Sequence, residues 1–234
     1  MEPKILVGCP TADYKAYCLD EYITALKSLT YKNCDFLIVD NSKTDDYCER
    51  IKKSGIKVIK DKYLPLAKQR IISSRNLIRE YALKNNYDYF FSLEQDVIPP
   101  KDIIERLLEA KKEIIAGVYY TEYKIKGKQV IRPLMWEKVN EETLQFMTDQ
   151  AETNQVVNVD VTGLGCIMIS RKVLEKVKFR VEKENEAFDD LFFCVDAEKN
   201  GYKIYVDTSI KCKHLIRGMN WEKIENEEKP GKKS

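Results

Sequence analysis

The sequence predicts an α/β protein in one domain, with a mostly parallel central sheet and helices on both faces. Short apolar runs alternate with segments of helical spacing through the first half of the chain, an order typical of parallel strands joined by crossover helices. The 234 residues are 44% hydrophobic and 33% charged, a balance that supports a sizeable core in an α/β domain of ordinary size.

In the first half, continuous apolar runs predict strands that are buried on both faces. These runs lie at 4–9, 35–40, 56–60 and 87–93. Apolar residues at helical spacing predict helices between them, over 17–30 and about 66–85. Pro99-Pro100 ends the fourth strand and opens a helix through about residue 111.

The second half is less regular. Strands are predicted at 114–123, 129–136, 159–170 and 202–206, and a helix is predicted at about 189–200. The polar, weakly periodic segment 137–158 predicts a mobile excursion, and the apolar-poor tail 222–234 predicts disorder. Gly163 and Gly165 interrupt the third of these strands, where they would let another group approach the backbone.

Composition excludes several classes of protein. Lys and Arg number 40 and Asp and Glu 38, a net charge of +2, so no strong field indicates a nucleic acid partner. The chain has no run of about 18 apolar residues for a transmembrane segment and no room for a signal peptide before the first strand, although peripheral membrane contact stays open. Its seven cysteines form no CxxC pair; we interpret them as reduced thiols and expect a cytoplasmic protein.

Polar residues follow three of the predicted strands, at the edge where open parallel sheets bind ligands. They are Pro10-Thr11, Asp40-Asn41-Ser42 and Glu94-Gln95-Asp96. Asp40 could also be an ordinary turn residue without a ligand, because Asp and Asn are common in turns after strands. Glu94 and Asp96, two residues apart at a strand end, can direct both carboxylates to one point, where Mg²⁺ or Mn²⁺ would neutralise a diphosphate.

Two common nucleotide-binding motifs are absent. The first strand-to-helix turn, Gly8 to Asp13, carries one glycine instead of GxGxxG, which argues against a dinucleotide-dependent dehydrogenase. No GxxxxGK[ST] occurs either, so the sequence has no P-loop.

Six segments in order over about residues 4–215 resemble the nucleotide-sugar glycosyltransferases of the GT-A fold, a Rossmann-like α/β domain, especially the family-two type. The segments are the strand ending Pro10-Thr11, Asp40 within LIVDNS, the helix motif at 73–76, Glu94-Gln95-Asp96 in the place of DXD, the glycine-containing strand at 161–166, and the FDDLFFC block at 188–194 followed by Gly201-Tyr202.

The resemblance implies a metal-assisted hexosyltransferase-type enzyme that moves a sugar from a nucleoside diphosphate sugar, UDP- or GDP-linked, to a hydroxyl acceptor. It divides residues 1–221 into a nucleotide-binding half (1–112) and an acceptor-side half with a smaller sheet (113–221). The implied donor-binding residues are Pro10, Thr11, Asp40, Asn41, Arg70, Arg75 and Gln95. The implied ligands of Mn²⁺ or Mg²⁺ are Glu94, Asp96 and His214. The implied acceptor-side residues are Gly163, Gly165 and Trp136. Asp190 takes the position of the catalytic base, with Asp189 as its competitor.

Each residue also has an ordinary structural interpretation. His214, the only histidine, could be a core residue instead of a metal ligand. Asp189 or Asp190 could cap a helix, and Arg70 and Arg75 could be solvated. At the level of the whole chain, the alternatives are a non-catalytic nucleotide-sugar or glycan-binding protein and a sugar-phosphate nucleotidylyltransferase. Whether the reaction requires the metal stays open, since Glu94 replaces the first Asp of DXD.

Overall fold

A computed structural model describes residues 2–125, 127–140, 143–182 and 187–216. The strands are β1 (Ile5–Thr11), β2 (Cys34–Asp40), β3 (Lys57–Lys60), β4 (Tyr89–Leu93), β5 (Val97–Ile98), β6 (Ile114–Val118), β7 (Tyr120–Ile125), β8 (Lys128–Pro133), β9 (Met135–Asn140), β10 (Thr143–Phe146), β11 (Val156–Val159), β12 (Val161–Thr162), β13 (Cys166–Ser170), β14 (Ile204–Lys211) and β15 (Lys213–His214). The α-helices are α1 (Leu19–Ser28), α2 (Asp46–Lys52), α3 (Ala67–Lys84), α4 (Ile103–Glu109), α5 (Arg171–Lys176) and α6 (Asp189–Lys199), and 3-10 helices span Asp13–Cys18 and Gln150–Glu152.

The central sheet has eight strands in the order β11-β14-β6-β13-β4-β1-β2-β3. Strands β1 to β4 run parallel to one another, and β14 runs parallel to β6. Only β13 and β11 run against the others, β13 between β4 and β6 and β11 beside β14. The predicted α/β class with a mostly parallel sheet is therefore confirmed, and both halves of the chain contribute strands to one sheet.

Side chains of the central strands alternate between two cores because successive strand residues point to opposite faces. Leu6 and Phe90 join the core beneath α3, α5 and α6. Val7 and Phe91, their direct neighbours, join the core beneath α1, α2 and α4. Helices thus cover both faces, as the sequence predicts, and this burial explains why β1 and β4 read as continuous apolar runs.

The predicted excursion at 137–158 was wrong. This segment holds the end of β9, then β10, a 3-10 turn and most of β11, and β10, β9 and β12 form a smaller separate sheet. Most of its described side chains are exposed to solvent, which explains the polar composition, whereas the Phe146 ring packs at a tilt against Trp136 and Met147 and Ala151 are buried.

Other differences concern short elements. The predicted strand at 114–123 is divided into β6 and β7, and the one at 159–170 into β12 and β13 around the glycines. Helices α2 and α5 were not predicted. They have seven and six residues respectively, which is too few to establish a periodic pattern. The tail at 222–234 lies outside the described residues. No helix among those described is both long and apolar enough to cross a membrane.

Candidate active site

The carboxyl ends of the parallel strands meet at one edge of the sheet and bring the predicted residues together. Thr11 ends β1, Asp40 ends β2, and Glu94 directly follows β4. The short pair β5–β15 places His214 opposite Val97, and the Leu215 N–H donates to the Asp96 carbonyl at 2.6 Å. A residue 118 positions away in the sequence therefore lies beside Asp96.

Gln95 fastens three chain segments beneath this edge. Its Oε1 accepts hydrogen bonds from Thr11 Oγ1 at 2.6 Å and from the Tyr47 hydroxyl at 2.9 Å. Its Nε2 donates to the Lys15 carbonyl oxygen. Gln95 is completely buried, so its amide orders the floor of the site. Pro10, in the same strand, is also buried.

Asp40 lies at the same edge but has internal partners. Its Oδ1 accepts hydrogen bonds from the backbone N–H and the hydroxyl of Ser42, and its Oδ2 is 2.9 Å from Lys60 Nζ. The Asp40 side chain is completely buried. Lys60 also donates to the carbonyl oxygens of Ser42 and Thr44, so this ion pair fixes the loop after β2.

Asn41 connects that loop to α3. Its Nδ2 donates to Ser74 Oγ at 3.1 Å, and the Ser74 hydroxyl donates to Asp61 Oδ2 at 3.0 Å. All three side chains are buried. Helix α3 is thereby locked against the carboxyl ends of β2 and β3.

The two arginines of α3 have different surroundings. Arg70, part-buried at the first turn, donates to the carbonyl oxygens of Leu64 and Pro65 and stacks its guanidinium over Tyr63. Arg75 is 1% exposed. Its guanidinium contacts Asp189 Oδ2 at 2.8 Å, Ser92 Oγ at 2.7 Å and Glu94 Oε1 at 3.0 Å.

Arg75 is a buried link between two carboxylates, those of Glu94 and Asp189. Burial alone would lower the pKa of its guanidinium, but the charges of Asp189 and Glu94 outweigh burial and raise it. Arg75 is therefore a permanent cation, and its donors are occupied by protein oxygens instead of facing the open edge.

Glu94 and Asp96, the carboxylate pair, hold a lysine between them. Lys15 Nζ lies 2.8 Å from Asp96 Oδ1 and 3.5 Å from Glu94 Oε2. Burial would raise the pKa of each carboxyl, but hydrogen bonds and nearby positive charge outweigh it. His214 and Lys15 hold the pKa of Asp96 well below its usual range, and Lys15 and Arg75 lower that of Glu94. Both groups are thus anionic over the whole physiological range.

His214 is oriented by its own hydrogen bond. Its Nδ1 donates to the Tyr120 carbonyl oxygen at 2.8 Å, and its Nε2 lies 3.6 Å from Asp96 Oδ2. A backbone carbonyl on one ring nitrogen leaves the other nitrogen as the ligating atom, an arrangement common among metal-binding histidines.

The donor set of two carboxylates and one imidazole suits Mn²⁺ or Mg²⁺. Among the residues that the structure describes, no three His, Cys, Asp or Glu side chains are already gathered around one metal position. Instead, the ammonium of Lys15 stands between the two carboxylates. The ligand types fit a divalent cation, and Lys15 stands where such an ion would meet both carboxylates.

Asp189 and Asp190 begin α6, and their environments differ sharply. Asp189 is buried and paired with Arg75, and the N-cap of the helix is Phe188, without a side-chain hydrogen bond. Among the described residues, the Asp190 carboxylate accepts a hydrogen bond from the Leu191 backbone N–H, a donor in the first turn of α6. Asp190 therefore satisfies one free N–H group of the helix start, whereas Asp189 is occupied by Arg75. Burial raises the pKa of the Asp190 carboxyl to about 6, and the Leu191 N–H only partly opposes this shift.

On the acceptor side, Gly163 and Gly165 accommodate Tyr119. The Gly165 N–H donates to the Tyr119 hydroxyl at 2.9 Å. A Cβ at Gly163 would lie 2.1 Å from that hydroxyl oxygen, and one at Gly165 would lie 2.7 Å away. The Tyr119 ring also stands edge-on to His214, with 5.2 Å between ring centroids. Trp136 lies part-buried in β9 and stacks against Phe146.

Three further residues lie in this region and were not predicted as site residues: Lys15, Lys60 and Tyr119. No periodic signal could have identified Lys15, which sits in a polar 3-10 helix and meets partners about 80 residues away. The strand predicted at 56–60 did contain a signal for Lys60, because Lys60 is its last residue. In the register of β2 and β3, Lys60 lies opposite Asp40.

Another groove lies at the opposite edge of the sheet. It has a volume of about 530 Å³ at the amino ends of β1, β2 and β3, where Lys4, Asp35 and Lys57 line it. Because ligands of open α/β sheets bind at the carboxyl ends, this groove is not our candidate site.

Comparisons with known proteins identify the family of the chain. The model of Glycosyl transferase family 2 matches residues 11–178, a span that contains Asp40, Arg75 and the carboxylate pair. Among solved structures, the chain is similar to the crystal structure of A197 from STIV, with 16% identity, a TM-score of 0.47, and coverage of 92% of this chain and 86% of that one. No curated protein matches. By its match over most of its length, the chain belongs to glycosyl transferase family 2.

Proposed function

We propose that the protein transfers a sugar from a nucleoside diphosphate sugar, UDP- or GDP-linked, to an acceptor hydroxyl, with Asp190 as the catalytic base. Membership of the family supports a glycosyltransferase. The single observation that carries the finer proposal is the contrast between adjacent aspartates. Arg75 forms an ion pair with Asp189, whereas no cation lies in contact with Asp190 among the residues that the structure describes, and burial raises the pKa of Asp190 to about 6.

A carboxylate with that pKa suits proton transfer near neutral pH, because it is ionised there and still basic enough to accept a proton. In an inverting transfer, Asp190 takes the acceptor O–H proton while the acceptor oxygen bonds to the anomeric carbon. The bond from that carbon to the diphosphate breaks, and the nucleoside diphosphate leaves with the electron pair.

For the donor, we assign the residues by their surroundings. Asp40 and Asn41 order the nucleoside loop through Lys60 and Ser74, while Pro10, Thr11 and Gln95 form the floor below it. Arg70, at the part-exposed start of α3, is the arginine proposed to contact the diphosphate. Arg75 is proposed as a positioning residue, because its donors are occupied by Asp189, Ser92 and Glu94.

Glu94, Asp96 and His214 would hold Mn²⁺ or Mg²⁺. When bound, that ion would neutralise charge on the leaving diphosphate. Glu94 and Asp96 come from the segment that follows β4, and His214 comes from β15. The Tyr120 carbonyl oxygen, which accepts the hydrogen bond of Nδ1, presets the His214 tautomer. We place the reaction in the cytoplasm, since all seven cysteines are free thiols.

The test has two stages. First, thermal shift with UDP, GDP, CDP and dTDP, with and without Mn²⁺, should reveal one preferred base through ligand-linked stabilisation. Second, the corresponding nucleotide sugars are assayed for nucleoside diphosphate release with a panel of hydroxyl acceptors.

The assay is repeated with Asp190→Asn, which should retain donor binding and lose at least about a hundredfold in transfer. Donor binding with no transfer or hydrolysis would indicate a nucleotide-sugar-binding protein instead. Pyrophosphate release from a nucleoside triphosphate would indicate a nucleotidylyltransferase.

A further inference from the structure

Within the residues that the structure describes, Lys15 is the only lysine or arginine in contact with both members of the carboxylate pair. Its side chain is 14% exposed, and its ammonium is 2.8 Å from Asp96 and 3.5 Å from Glu94. Arg75 contacts Glu94 from the protein interior. Lys15 contacts the pair from the 3-10 helix that follows β1.

The backbone that carries Lys15 is held in place. Its carbonyl oxygen accepts a hydrogen bond from buried Gln95. The Asp13 N–H donates to Ser42 Oγ at 2.8 Å, and the Tyr17 hydroxyl donates to the Leu215 carbonyl at 2.7 Å. Since these contacts anchor the 3-10 helix on both sides of Lys15, the ammonium can leave the carboxylates by side-chain rotation alone.

Two carboxylates so close together repel each other unless a cation lies between them. A lysine ammonium and a divalent metal ion meet the same need, and an ion held by both carboxylates would take the space in which the Lys15 ammonium lies. Only one of them can occupy that position at a time.

We infer that Lys15 is a built-in competitor of the divalent cation: it occupies the carboxylate pair in the metal-free protein and must be displaced before Mn²⁺ or Mg²⁺ binds. This inference rests on the proposed metal site. Its consequence is that the metal-free protein keeps the site folded and charge-balanced, and that metal affinity is set lower than the ligands alone would give.

The test measures binding of Mn²⁺ alone, by electron paramagnetic resonance of the free ion and by thermal shift. Lys15→Gln should melt at a lower temperature than the unchanged protein without metal, and Mn²⁺ should restore most of that loss. Its affinity for Mn²⁺ should be at least about tenfold tighter, because no charge has to be displaced. Lys15→Arg keeps the positive charge and should not tighten binding.

Lys32→Gln is the matched control, because Lys32 is exposed before β2 at the opposite end of the sheet and its loss changes the net charge equally. It should leave Mn²⁺ affinity unchanged. A second measurement uses the unchanged protein and therefore does not depend on whether Lys15→Gln folds. Acylation of Lys15 by an amine reagent, followed by mass spectrometry, should accelerate when Mn²⁺ is added.

Equal Mn²⁺ affinity in Lys15→Gln and the unchanged protein, with unchanged Lys15 labelling, would overturn the competition and leave the proposed metal site standing. Failure of both proteins to bind Mn²⁺ would overturn the competition and the metal site together. Transfer activity in the presence of a chelator would then show that the glycosyltransferase proposal survives without the metal.

Discussion

Replacing Asp190 with Asn should stabilise the folded protein at neutral pH while it abolishes most of the transfer activity. Burial raises the pKa of Asp190 from 3.8 to about 6, so the ionised carboxylate is less favourable in the folded state than in the unfolded chain. At about 1.4 kcal/mol for each pH unit between the two values, the cost is about 2 to 3 kcal/mol. Asparagine has no charge to bury and still accepts the Leu191 hydrogen bond.

The sign of the pH dependence follows from the raised pKa. Below about pH 4 the carboxyl is protonated in both states, so Asp190 does not penalise the fold. As pH rises from about 4 through 6, the unfolded state releases its proton first and the folded protein loses stability. The advantage of Asp190→Asn should therefore be near zero at pH 4 and reach its full size at pH 8.

Guanidinium denaturation at pH 4, 6 and 8 measures the difference in unfolding free energy between Asp190→Asn and the unchanged protein. In thermal unfolding at pH 8, the Tm of Asp190→Asn should be higher by roughly 5 to 10 °C for a chain of this size. In the same protein preparation, kcat/KM of the unchanged enzyme should fall below about pH 6, as the base becomes protonated. A variant that is less stable than the unchanged protein at pH 8, or equally active, would refute the assignment.

Asp189→Asn is the matched control for that experiment. It also removes one negative charge from the first turn of α6, but this charge is paired with buried Arg75 at 2.8 Å. Burial raises the pKa of Asp189 as well, although the charge of Arg75 opposes this shift, so the substitution also removes a burial cost. Because it breaks a buried ion pair and leaves the guanidinium with one fewer anionic partner, we expect Asp189→Asn to destabilise the protein at pH 8 on balance. The two substitutions change helix propensity and net charge in the same way. A gain in stability from Asp190→Asn and a loss from Asp189→Asn would therefore be difficult to explain by either property.

Three further outcomes are expected. Arg75→Met should cost about 3 to 5 kcal/mol of unfolding free energy, because it leaves Asp189 and Glu94 unpaired, and denaturant midpoints measure this. His214→Asn should weaken Mn²⁺ binding by at least about tenfold, measured by paramagnetic resonance, while Tm without metal falls by only a few degrees. Gly163→Ala should destabilise by about 1 to 3 kcal/mol, because its Cβ would overlap the Tyr119 hydroxyl; Tyr119→Phe in the same chain should relieve part of the loss.

The positions of Thr11, Asp40 and the carboxylate pair followed from the sequence for a simple reason. Buried parallel strands read as continuous apolar runs, and the residues after them must share one edge of the sheet. Nothing more than local pattern was needed. Asp189 and Asp190, which begin a helix, came forward only through the resemblance of the block at 188–194 to the family motif.

What the sequence could not supply is which oxygen each charged group faces. Arg70 and Arg75 are five residues apart in one helix, yet one lies part-buried near Tyr63 and the other reaches Asp189 in the interior. That difference depends on a contact across 114 residues of chain. Likewise, the segment at 137–158 reads as irregular because its strands bury only one face, against a core assembled from other parts of the chain.

The position of Tyr119 limits how this face of the molecule can vary. Its hydroxyl occupies the space above Gly163 and Gly165, and its ring stands against the imidazole of His214. A larger residue at either glycine has to displace the phenol ring, and that ring is packed against the histidine. A substitution in the turn at 163–165 would therefore be expected to disturb His214 as well, although no hydrogen bond or ring contact joins the two directly among the described residues.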